Sequence, residues 1–104
     1  MNTSTEINLA LREFSAGNKK GAYLKLKKIF KKNKEDEKLR FNIAVIEQSL
    51  NLNEEAKLNY KFLIKNSLNI KAMTNLYQIY IKEDNFIEAL NLINKILENN
   101  NFQD

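Results

Sequence analysis

The sequence predicts an all-α fold, a short array of three stacked helical hairpins. The chain repeats itself: Ala22, Ala56 and Ala89 stand 34 and 33 residues apart. Each is followed four, seven and eight positions on by apolar residues: Leu26, Ile29 and Phe30; Tyr60, Leu63 and Ile64; Ile93, Ile96 and Leu97. A period in this range marks arrays whose units cannot bury their apolar faces alone. Helix breakers are scarce, with no proline and only Gly17 and Gly21, which favours helices joined by short polar turns over sheet. At 104 residues the chain has room for one domain or one short array.

Six helices follow from the apolar spacing and the capping residues. The first is expected from about Ser4 to Ser15, with Thr3 and Glu6 at capping-box spacing. Its apolar side is Leu9, Ala10 and Phe14, widened by Ile7 and Leu11. Ala16-Gly17-Asn18 reads as the turn, with Gly17 free to take a left-handed backbone. The second helix spans about 19–32 with Ala22, Leu26, Ile29 and Phe30 inward; Gly21 falls in its first turn. The third, about 35–50, opens on Glu35, Asp36 and Glu37, which suit the positive end of a helix dipole. Leu39, Ile43, Ala44 and Ile46 are its core. After Asn51-Leu52-Asn53, Asn53 is placed to cap a fourth helix running to about Lys65 through Ala56, Tyr60, Leu63 and Ile64. Asn69 is placed to cap a fifth, with Ala72, Met73, Leu76, Tyr77 and Tyr80 inward. Asn85 and Glu88 repeat the capping spacing and open a sixth, with Phe86, Ala89, Ile93, Ile96 and Leu97 inward. Residues 99–104 are expected to fray.

Composition removes several function classes. Cysteine and histidine are absent, so no disulfide, thiol nucleophile, imidazole base or Cys/His metal site can form. Adjacent acids such as Glu54–Glu55 do not face each other on a helix. The reading is therefore non-enzymatic, with no cofactor and no metal. No apolar run reaches membrane-span length, which makes the cytoplasm the expected compartment. The net charge of +4 is concentrated: Lys19, Lys20, Lys25, Lys27, Lys28, Lys31, Lys32 and Lys34 are interrupted by no acid.

These residues resemble the tetratricopeptide repeat over about 3–98. The first unit matches through Leu9, Ala10, Gly17, Ala22, Leu26, Ile29 and Phe30. The second matches through Ile43, Ala44, Ala56, Tyr60, Leu63 and Ile64, and the third through Leu76, Tyr80, Phe86, Ala89, Ile93, Ile96 and Leu97. Three degenerate repeats follow, at about 3–34, 37–68 and 70–101. The chain departs from the pattern at Tyr77, where a small residue is usual, and at Glu13 and Glu47, where an aromatic is usual. Lys34, Leu68 and Asn101 replace the closing proline.

The resemblance implies a right-handed α-solenoid whose first helix of each pair lines a concave groove. Position by position, Asn8, Asn42 and Asn75 then occupy one groove register, where an amide can both donate to and accept from a peptide backbone. Lys38 and Lys71 share a second register suited to acidic groups. Phe41 and Val45 offer apolar contacts, and Gln78 adds to the polar lining. The implied function is a cytoplasmic adaptor or scaffold. It would bind an extended segment of another protein, with acidic side chains suited to the lysine register.

Two other readings compete. The basic stretch 19–34, with Lys20, Lys27, Lys28 and Lys31 and the interleaved Tyr23 and Phe30, has the pattern of a nucleic-acid or anionic-surface helix. In the other, the chain is a recruitment or dimerisation module at the front of a larger protein, with a homodimer formed through the uncapped last repeat.

Overall fold

The computed structural model describes the chain from residue 2 to residue 101, with side chains through residue 98. Among the described residues it is all helical: α1 Thr3–Ser15, α2 Lys19–Phe30, α3 Glu37–Ser49, α4 Asn53–Ser67, α5 Ile70–Lys82 and α6 Phe86–Asn101. Helix α1 packs on α2, α2 on α3, and α5 on α6. Residues 1–56 and 57–104 form two compact units, and the boundary falls inside α4. No helix among the described residues is long and apolar enough to cross a membrane. Residues 99–101, expected to fray, lie within α6; 102–104 fall outside the described residues.

Three turns share one backbone design. Helices α1, α3 and α5 are each followed by a left-handed residue, Gly17, Asn51 and Asp84, with φ of 102°, 62° and 59°. These positions are 34 and 33 residues apart, the spacing of the alanines. In each turn the left-handed residue donates its N–H three residues back, to the carbonyl of Phe14, Gln48 or Ile81. The next N–H reaches five residues back, to the carbonyls of Glu13, Glu47 and Tyr80, at 2.9, 2.8 and 2.8 Å. This is the Schellman arrangement, which satisfies carbonyls that a helix end leaves open.

The residue after the left-handed position also starts the next helix. The Asn18, Leu52 and Asn85 carbonyls accept from the N–H groups of Ala22, Ala56 and Ala89. Asn18 and Asn85 add side-chain caps, accepting from Gly21 N–H at 3.1 Å and Glu88 N–H at 3.4 Å. A Cβ on Gly21 would run into the Asn18 amide that makes this cap. Leu52 holds the equivalent place before α4, so Asn53, expected as the cap, is instead its first helical residue. At α1 the cap is Asn2, which accepts from Thr5 N–H at 2.8 Å, rather than Thr3. The amide acts from one residue earlier, and α1 is longer by that residue. Asn69 caps α5 as expected, through Ala72 N–H. Asp36 caps α3 through Leu39 N–H, so α3 begins after the acidic run has started.

The repeated alanines lie within the packed core. Ala22, Ala56 and Ala89 are buried, as are Ala10 and Ala44 in the preceding helices. A methyl at a crossing lets backbones approach closely, where a longer chain would force them apart. The expected cores of α3 and α4 are buried in full, and α5 adds Ile79. Two expectations fail. Leu9 is exposed, because α1 turns Ile7, Ala10, Leu11 and Phe14 toward its neighbours instead. Among the described side chains of α6 only Ala89 and Leu92 are buried; Phe86, Ile93 and Leu97 are exposed, since α5 packs against only part of the helix surface.

Among the described residues one charged side chain is buried in this packing. Glu47 of α3 is 1% exposed, and the Tyr23 hydroxyl of α2 donates to its Oε2 at 2.8 Å. Burial, this hydrogen bond and the Glu47 charge all push the Tyr23 phenol well above its usual 10.0, because each disfavours phenolate. Nearby, the Arg40 guanidinium stacks 4.8 Å from the Phe30 ring centroid, and its own burial pulls its pKa down.

Tyr23 and Leu68 make these features measurable. Tyr23→Phe leaves the buried carboxyl one donor short and should cost about 1–3 kcal/mol in urea denaturation. The raised phenol contributes stability that is present below pH 10.0 and lost as the pH climbs beyond it. The melting temperature should therefore fall in that alkaline window, and the Tyr23→Phe chain should lose that part of the fall. Leu68, at φ 50°, is a bulky residue in the left-handed region after α4. Leu68→Gly should raise stability by up to about 1 kcal/mol in the same assay.

Candidate functional site

The first unit holds a cleft of about 460 Å³ between α1 and α3. Ile7, Leu11 and Leu39 give it an apolar floor, while Thr3, Ser4, Asn8, Asn33, Asp36, Lys38 and Asn42 form the polar rim. The helices place these groups by simple periodicity. Ser4, Ile7, Asn8 and Leu11 fall on one side of α1, and Lys38, Leu39 and Asn42 on neighbouring lines of α3. The Asp36 carboxylate is occupied in capping α3, so it helps fix the helix that carries Lys38 and Asn42.

Three residues assigned to the groove from the sequence thus meet in one cleft: Asn8, Asn42 and Lys38. Among the described residues neither the Asn8 nor the Asn42 amide has an intramolecular hydrogen-bond partner. Each keeps donor and acceptor available to a ligand. Asn8 and Lys38 are exposed and Asn42 is half-buried.

The remaining groove residues are placed differently. Asn75 of α5 donates through Nδ2 to the Tyr60 hydroxyl at 3.2 Å. Tyr60 is fully buried on α4, so this amide satisfies a core hydroxyl. Lys71 and Gln78 are exposed on the same helix as Asn75. Phe41 and Val45 are half-buried on α3 and do not line the cleft. Still within the second unit, Lys57 of α4 pairs with Glu83 at 2.9 Å and lies 5.9 Å from the Tyr80 ring centroid.

A larger cleft, of about 790 Å³ between α1 and α2, has no counterpart in the sequence reading. Leu9 and Ile29 are its main apolar residues; Lys25, Lys28 and Lys32 line one wall, Glu6, Arg12 and Glu13 the other. Lys25 is ion-paired with Glu13 across it. The signal that could have found it is the width of the α1 stripe. Ile7, Ala10, Leu11 and Phe14 already make a complete inward face, which leaves Leu9 outside.

No protein-family model matches the chain, and no curated protein is significantly similar to it. The site must therefore be read from its own chemistry.

The alternative basic surface is present, with Lys20, Lys27 and Lys28 exposed on α2 and Lys31 exposed just past its end. The two aromatic residues interleaved with them are engaged internally, however. The Tyr23 hydroxyl is spent on Glu47, with Lys27 5.7 Å from its ring centroid, and the Phe30 ring is stacked by Arg40. That leaves point charges without the free aromatic faces on which single-stranded bases stack. No group of acidic side chains among the described residues is arranged to hold a metal ion.

The different settings of the three asparagines give a direct check. Asn75→Ala removes one donor from the buried Tyr60 hydroxyl and should lower stability by about 1 kcal/mol. Asn8→Ala and Asn42→Ala should stay within about 0.5 kcal/mol of the parent chain. Chemical denaturation of the three variants measures the contrast.

Proposed function

We propose that this chain is a non-enzymatic adaptor that binds an extended segment of another protein, with the α1–α3 cleft as the contact surface. The observation that carries the reading is the meeting of two open amides, Asn8 and Asn42, with Lys38 above an apolar floor. The amides suit a peptide backbone, which offers a donor and an acceptor at nearly every residue whatever its side chains. Lys38 adds preference for an acidic side chain nearby, and Ile7, Leu11 and Leu39 take an apolar one. A surface of this kind binds and orients what it holds.

The same proposal takes the chain as a tetratricopeptide-like array, a right-handed solenoid of helix pairs. Support comes from the three Schellman turns at Gly17, Asn51 and Asp84, and from the buried alanines that follow each by five residues. A common turn and a common crossing residue at one period are what a stacked repeat requires.

Selection of an unbiased displayed-peptide library on the immobilised chain tests the function. Enriched peptides should carry an acidic residue, bind in solution, and lose about tenfold or more in affinity with Asn8→Ala/Asn42→Ala. Lys38→Glu should reverse the acidic preference. Circular dichroism should show unchanged helicity in both variants. Peptides retained equally by the amide variant, or retention of polyanions alone, would overturn the reading.

A further inference from the structure

Helix α6 presents an apolar stripe that stays largely exposed. Phe86, Leu90 and Leu97 are 60, 57 and 54% exposed, and Ile93 is 36% exposed. At the pitch of an α-helix these four fall within an arc of roughly 60°. Isolated surface leucines need no explanation, but four large apolar side chains in one line do. Ala89 and Leu92, on an adjoining side, are already buried.

We propose that this stripe is the seam of an antiparallel homodimer. The spacing of the four residues, four, three and four, reads the same in both directions. A two-fold axis midway along the stripe therefore sets Phe86 against Leu97 of the second copy, and Leu90 against Ile93. Every apolar residue meets another, in the alternating layers of a two-helix seam.

Charge favours the same occupant. The stripe is neutral, while Glu88 and Lys95 point to the opposite side of the helix. The chain as a whole carries +4, with its lysines concentrated between 19 and 34, and the stripe itself adds no charge to a seam between two copies. A charged partner finds no complement on the stripe, whereas a second copy brings a neutral one of matching spacing. Four layers make a small interface beside the roughly 800 Å² per partner of a stable complex, so association in the micromolar range is expected.

Sedimentation of the intact chain from about 1 to 300 µM tests the proposal. A concentration-dependent monomer–dimer equilibrium is expected, weakened about tenfold or more by Leu90→Glu. Adding Ile93→Lys to that chain should restore association, because the two substituted positions face each other across the axis. The protein has no cysteine, which permits an arm independent of these charges. A Phe86→Cys chain mixed with a Leu97→Cys chain should form a disulfide between the variants, and neither variant should cross-link with itself. Circular dichroism tracks folding, and the cysteine arm decides if Leu90→Glu loses helicity. A monomer throughout, a dimer indifferent to Leu90→Glu in a folded chain, or self-cross-linking of each cysteine variant would overturn the proposal.

Discussion

A helix end leaves carbonyls without partners, and a chain of short helices meets this problem repeatedly. Here α1, α3 and α5 meet it in one way. A left-handed residue swings the backbone so that its own N–H and the next one cover two of the open carbonyls. The residue that donates the second bond also begins the following helix. Little freedom remains in the turn, so the next helix starts at a fixed place. The alanine four residues after that start is buried each time. Turn closure and the burial of the alanine are thus two results of one backbone constraint, and the clefts depend on the helices it positions.

Against this regular background, the pair formed by Tyr23 and Glu47 is an irregular solution. A carboxyl excluded from water must be compensated by donors, and Tyr23 supplies one from the neighbouring helix. The bond fixes the tyrosine ring as well as the acid. It thereby withdraws one of the two aromatics that give the lysine-rich helix the pattern of a polyanion-binding surface. Arg40 does the same to Phe30 by stacking over its ring. The fold thus bears directly on which surface remains open for ligands.

Much of the helical organisation could be read from the residues, because it rests on short-range regularities. The alanine period, the apolar spacing of α3 and α4, and the amide caps at Asn69 and Asn85 lie within a few residues of what they act on. Other features depend on distant partners. Nothing near Glu47 announces its burial, since Tyr23 lies 24 positions away. Asn75 looks like Asn8 and Asn42 until the Tyr60 hydroxyl, 15 positions back, is placed beside it. Apolar periodicity shows which residues could be covered and is silent on whether a neighbour covers them. For that reason Leu9 and much of α6 read as inward from the sequence while they lie exposed in the fold. In the candidate site, Asn8 and Asn42 were legible as one register and Lys38 as part of a second, whereas their meeting in one cleft, and the cleft beside Leu9, were not.

The contact between Asn18 and Gly21 has a consequence for how such a sequence can drift. The amide caps α2 only while the first turn offers it an open N–H and the space a missing Cβ leaves. A larger residue at 21 displaces the amide, and the cap, worth about 1 kcal/mol, goes with it. Once that has happened, position 18 is released from its chemical requirement. The two sites are therefore bound in their history: Asn at one should be found with Gly at the other, and the loss of either should open the way to the loss of both.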